Sequence, residues 1–198
     1  MIAILDYGSG NLRSAARAFE LADSQTVVTN DPDICAEADG LVVPGVGAFA
    51  ACMQQLIAAG GKEIIDARVK ASKPLFGICV GMQILFSQSS EKGQTGGLNI
   101  LAGEVTEIAA PVLPHIGWNT VVAARESKLF AGLTDSYFYF VHSYAAKGAV
   151  ANAKNSYANY GEVFLAAVER DNVVATQFHP EKSGDAGARL ISNWVQSL

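Results

Sequence analysis

The chain has 198 residues, of which 50% are apolar and 17% charged, and its formal net charge is −5 at pH 7. This composition excludes intrinsic disorder, and without a run of Lys or Arg it argues against a nucleic-acid surface, which needs clustered cations. No apolar run approaches the roughly 20 residues of a membrane span, and three widely separated cysteines do not make a disulfide framework.

Met1–Asp6 reads as a buried strand, without the basic region or cleavage site of a signal segment. The turn Tyr7-Gly8-Ser9-Gly10-Asn11 follows. Its glycines do not make a dinucleotide loop, because arginine stands at position 13 where that fingerprint needs its third glycine. A helix is predicted over residues 12–22, with Leu12, Ala15, Ala16 and Phe19 on one face. Strands are predicted at 25–28 and at 40–44, the second ended by Pro44. Residues 48–59 and 61–71 read as helices split by Gly60-Gly61, residues 73–78 as a strand and 80–89 as a helix.

This alternation implies an α/β fold with a mainly parallel central sheet flanked by helices on both faces. From Leu98 to Val122 and from Tyr137 to Gln177 the runs are short and β-rich, which predicts additional antiparallel strands in the second half. A closing helix covers residues 186–195. With no repeat or linker, residues 1–198 are expected to form one domain of a soluble cytoplasmic enzyme.

Gly77-Ile78-Cys79-Val80-Gly81 lies between a strand-like and a helix-like segment, the pattern of a nucleophile elbow. Glycines there let backbones approach closely, while the turn lifts the central side chain out of the sheet. The following helix N-terminus would favour a Cys79 thiolate, and the Val80 N–H would face a developing oxyanion. Taken alone, the pattern also fits a small buried core cysteine. Cys35 and Cys52 lack flanking glycines and read as structural.

A thiolate needs a partner that moves protons. In His179-Pro180-Glu181, residues two apart in an extended segment point the same way, so the carboxylate can hold one ring nitrogen while the other faces sulfur. A surface histidine at a strand end beside a solvated glutamate is the common reading of a lone histidine, but less so of His-Pro-Glu after a buried strand. His142 and His115 have no acid two residues away and read as pocket or structural groups. No metal site is expected, because no candidate ligands show the close pairing of a zinc motif.

Together, Gly77-Ile78-Cys79-Val80-Gly81-Met82-Gln83 and Gln177-Phe178-His179-Pro180-Glu181 resemble the class I (triad) glutamine amidotransferases. The chain order Cys, His, Glu fits that family and not the α/β-hydrolases. Four further segments resemble, within that family, the glutaminase subunits of imidazole glycerol phosphate synthase. They are Asp6–Ser14, Pro44–Phe49, Pro114–Asn119 and Tyr139–Tyr144.

The resemblance implies L-glutamine as substrate, no cofactor, and a (βα)8-barrel cyclase partner in a heterodimer that receives the ammonia. It implies Cys79, His179 and Glu181 as catalytic residues and Val46 and Val80 as oxyanion donors. Gly47, Gln83, Ser143 and Tyr144 would line the glutamine pocket, and Asn11, Trp118, Tyr139 and Lys182 would face the partner. Other triad amidotransferase subunits, a non-catalytic module on the same scaffold and a stand-alone cysteine hydrolase are the competing readings.

Overall fold

A computed structural model describes all residues from Met1 to Leu198. The first half runs β1 (Ile2–Leu5), α1 (Leu12–Glu20), β2 (Thr26–Thr29), α2 (Pro32–Glu37), β3 (Gly40–Gly45), α3 (Phe49–Ala58), α4 (Gly61–Lys70) and β4 (Leu75–Cys79). It continues through the one-turn α5 (Val80–Gln83), β5 (Phe86–Ser89), β6 (Thr95–Gly96) and β7 (Leu101–Glu107). The second half holds β8 (His115–Thr120), β9 (Tyr137–His142), β10 (Tyr144–Ala146), β11 (Lys154–Tyr160), β12 (Glu162–Arg170) and β13 (Val173–Thr176). A short 3-10 turn (Pro180–Lys182) then leads into α6 (Gly184–Val195).

The central sheet has seven strands in the order β11-β12-β13-β4-β3-β1-β2. β2, β1, β3, β4 and β13 are mutually parallel, while β12 and β11 add antiparallel strands at one edge. The central strands are buried throughout, as expected where helices cover both faces. On one face Phe19 of α1, Phe76 of β4 and Trp194 of α6 form an aromatic cluster, with Trp194 5.7 Å from Phe19 and 5.2 Å from Phe76. On the other face Leu5 approaches Gly61 at the start of α4. A four-stranded sheet, β10-β7-β5-β6, and the hairpin β8–β9 are separate from the central sheet.

Three local readings need correction. The helix expected over 80–89 is a single turn, and the chain re-emerges as β5, parallel to β7. Ser87, Ser89 and Ser90 disfavour helix by offering side-chain bonds to the backbone, and Ser89 Oγ accepts such a bond from the Glu91 N–H. The segment Asp31–Asp39 contains α2, whose N-cap Asp31 accepts from the Asp33 and Ile34 N–H groups and whose Pro32 occupies the first turn. β3 does not stop at Pro44 but runs to Gly45, opposite Cys79.

Candidate active site

β3, β4 and β13 are neighbours and parallel, so their carboxyl ends deliver three segments to one place. These are Pro44–Gly47 at the end of β3, Cys79 at the end of β4, and His179 just beyond β13. Cys79 adopts φ 56° and ψ −113°, a left-handed conformation costly for a side-chain-bearing residue. Its neighbours make the turn possible: a Cβ on Gly81 would lie 1.8 Å from the Val43 carbonyl oxygen, and one on Gly45 2.6 Å from the Gly81 nitrogen.

His179 Nδ1 lies 2.7 Å from Glu181 Oε1, and both side chains are buried. His179 Nε2 is buried without a hydrogen-bond partner. Burial opposes its imidazolium, but the facing Cys79 thiolate and the Glu181 carboxylate outweigh that and hold the pKa above the ordinary imidazole value.

These groups open into a cavity of about 300 Å3. Cys79, His179 and Val80 line it, as do the residues expected to bind glutamine: Gly47, Gln83, Ser143 and Tyr144. Val46 lines it too, but its N–H donates to Ser9 Oγ at 3.1 Å, and that hydroxyl donates back to the Val46 carbonyl at 2.9 Å. The Val46 N–H is therefore engaged with the turn after β1, not turned to the sulfur. Tyr7 secures the same strand by donating to the Pro44 carbonyl at 2.6 Å.

Three contributors, Ser9, Glu91 and Gln177, escaped the sequence reading. Ser9 carries no signal in the sequence beyond its place in the turn after the first strand. Glu91 lines the cavity while accepting from the Phe49 N–H at 2.7 Å, and no local pattern marks it. Gln177, two residues before His179, donates through Nε2 to Cys79 Sγ at 3.8 Å. It also accepts from Gln83 Nε2 at 3.0 Å. The signal for Gln177 was present, since alternation puts it on the side of its strand that His179 occupies. His142 lines the cavity as well, joined to His115 at 3.1 Å, and His115 lies between the rings of Phe140 and Tyr160. Burial lowers His115 to about 4 and His142 to about 3, which suits them to structural roles and not to proton transfer near neutrality.

The residues expected to face a partner are exposed or half-buried, and none of them lines the cavity. Trp118 is 56% exposed and packs edge-on against Tyr139. Tyr139 accepts from the His179 N–H through its carbonyl at 2.9 Å, and Lys182 is exposed immediately after Glu181. Asn11 is exposed but also caps α1, accepting from the Ser14 N–H at 3.3 Å. A larger groove of about 780 Å3 between α2 and α4 contains none of the predicted residues. Ala36, Ala59, Ala67 and Ala71 are among its lining residues, and its Arg68 guanidinium is committed to main-chain carbonyls.

Residues 3–197 match the family described as Glutamine amidotransferase class-I. The chain belongs to the class-I glutamine amidotransferases. Among curated relatives of this amidotransferase, "Imidazole glycerol phosphate synthase subunit HisH" of Nocardia farcinica is 55% identical, covering 100% of this chain and 98% of that protein. The HisH proteins of Mycobacterium tuberculosis (strain CDC 1551 / Oshkosh), 55% identical, and of Corynebacterium diphtheriae, 51% identical, also cover the whole chain. A crystal structure of a glutamine amidotransferase superposes with TM-score 0.77 at 18% identity, covering 98% of each chain. A putative GMP synthase subunit from Thermoplasma acidophilum superposes with TM-score 0.73 at 20% identity, covering 98% of this chain and 92% of that one. At those identities the structures speak for the fold. No helix of the amidotransferase is long and apolar enough to cross a membrane.

Proposed function

We propose that this amidotransferase is the glutaminase subunit of a cytoplasmic imidazole glycerol phosphate synthase, acting as one domain over residues 1–198. In this reading it hydrolyses glutamine and passes ammonia to a (βα)8-barrel cyclase partner in histidine biosynthesis. The observation that carries the reading is the identity of about half with HisH subunits over the full chain, joined to a Cys-His-Glu constellation.

Cys79 attacks the side-chain amide carbon of glutamine, and the developing oxyanion is held by the Val80 N–H, at the start of α5 where such groups lack helical partners. His179, oriented by Glu181, protonates the departing ammonia and then activates water to hydrolyse the thioester. The second oxyanion donor, the Val46 N–H, must leave Ser9 Oγ to take part. Loss of one such donor costs roughly 10²–10³ in rate, so the resting arrangement favours low activity until a liganded partner turns that peptide. Gln83, Ser143, Tyr144 and Gly47 enclose the substrate, and the Glu91 carboxylate is placed to receive its ammonium group.

The partner surface is the outer face of the β8–β9 hairpin. There Ile116, Trp118 and Tyr137 are all more than half exposed, while their inward neighbours His115, Phe138 and Phe140 are buried. The test is glutaminase activity of the chain alone and with the cognate cyclase plus its nucleotide ligand, beside Cys79→Ala. Weak activity alone, strong activation by the liganded partner and none in the variant are expected. Full activity without a partner overturns the subunit reading, and a Cys79→Ala chain that still hydrolyses glutamine overturns the nucleophile.

A further inference from the structure

We propose that Gln177, held in orientation by Gln83, acts on the nucleophile itself: it donates an amide N–H to the Cys79 sulfur and favours the thiolate. This rests on the reading of Cys79 as nucleophile.

The polarity of the chain of contacts is fixed by its far end. The Tyr144 carbonyl belongs to the main chain and can only accept. His142 Nδ1, at 3.0 Å, and Gln83 Nε2, at 2.8 Å, therefore both donate to it. The second N–H of Gln83 Nε2 meets the Gln177 side chain at 3.0 Å, so Gln177 presents its oxygen there. Its Nε2 is then left to face Cys79 Sγ at 3.8 Å. Gln177 is fully buried and Gln83 is 4% exposed, so turning Gln83 would set oxygen against oxygen and turning Gln177 would set N–H against N–H, with no water to relieve either.

A sulfur that meets a donor is stabilised as the anion. That matters more here than the sequence suggested, because α5 spans only four residues and offers a small dipole beneath the sulfur. His179 and Gln177 both follow from β13, one beyond the other, so a single strand end carries the proton shuttle and the thiolate donor. A hydrogen bond to a charged group is strong enough to move a pKa by about one unit.

A purely structural Gln177 would leave the ionisation of Cys79 unchanged, and this separates the two roles. Gln177→Met keeps length and bulk but removes the N–H. The rate at which iodoacetamide alkylates Cys79, followed at that residue by peptide mass spectrometry from about pH 5 to about pH 10, reports the thiolate fraction. The expected result is a midpoint raised by about one unit, with kcat in the partner complex lower by about tenfold at neutral pH and KM for glutamine little changed. Gln177→Asn keeps an amide but withdraws it by one methylene. It is expected to show the same rise, and it carries the test if the Met variant does not fold by circular dichroism. A folded variant whose alkylation profile overlays that of the unsubstituted chain overturns the proposal. Glutamine hydrolysis surviving in Cys79→Ala overturns the nucleophile reading, and this proposal with it.

Discussion

His115 and His142 show how burial assigns roles among three histidines. His142 Nδ1 donates to the Tyr144 carbonyl, so its Nε2 accepts from His115 Nδ1, and the accepting His142 ring must be neutral to keep that contact. Burial holds both pKa values far below the ordinary 6.5, so below that pH the unfolded chain binds protons that the folded one refuses. Stability from this pair is complete above pH 6.5 and declines as pH falls toward 4. His179 has the opposite sign: its raised pKa contributes stability below 6.5 that is lost as pH rises through its folded-state value. A denaturation profile would add these opposed terms, whereas NMR separates them. The ring C–H signals of His115 and His142 are expected not to titrate between about pH 8 and about pH 5. A normal titration of either ring in that interval would show that the buried pair is not held neutral.

At the scale of elements, Arg68 performs a task no motif announces. From α4 its guanidinium donates to the carbonyls of Cys35 (3.0 Å), Ala38 (2.6 Å), Asp39 (3.2 Å) and Pro74 (2.8 Å), closing the end of α2 and the approaches to β3 and β4. Arg68→Met fills the space but strands these acceptors. With about 1–3 kcal/mol for each buried group left unsatisfied, the four acceptors together cost at least about 4 kcal/mol, and at about 2–4 °C per kcal/mol in a chain of this size a fall in Tm of at least roughly 8 °C is expected by calorimetry. An unchanged Tm would mean that water satisfies the carbonyls instead.

Elements with strong periodicity or a full apolar run, such as α1, β1, β3 and β4, were legible in the sequence. The two misread segments lacked that signal. In α2 only Ile34, Cys35 and Ala36 are apolar, and the Asp31-Pro32 start was its one marker. The run Ile84-Leu85-Phe86 is buried whether helical or extended, so its apolarity did not decide between them. The site was legible where chemistry lies close in sequence, as in Gly77–Gly81 and His179–Glu181. Ser9 and Glu91 reach the site only through the fold, from contacts 37 and 42 residues away.

For the whole molecule, the sheet order sorts fixed parts from adjustable ones. Cys79 and His179 lie at the ends of adjacent parallel strands deep in the sheet, whereas Val46 lies just past β3 and is tied to the side chain of Ser9 in the first turn. The hairpin β8–β9 lies outside the sheet with an apolar outer face. Trp118→Ala removes the largest exposed ring on that face while the inner face remains packed on His115, Phe138 and Phe140. Affinity for the cyclase is expected to fall by about 10-fold or more, the effect of removing an interface anchor worth roughly 2 kcal/mol, with Tm unchanged. Equal affinity by calorimetry would move the partner surface elsewhere.

The bridge between Tyr139 and His179 gives that docking a remote signature. The His179 amide hydrogen is held by the Tyr139 carbonyl, and the Tyr139 amide hydrogen by Ser183 Oγ, so β9 and the segment carrying the imidazole are stitched by one main-chain bond and one to a serine hydroxyl. A protein clasping Trp118 and Tyr139 would damp the opening of that seam. Deuterium would then enter the His179 amide more slowly in the complex, at a position the partner need never touch.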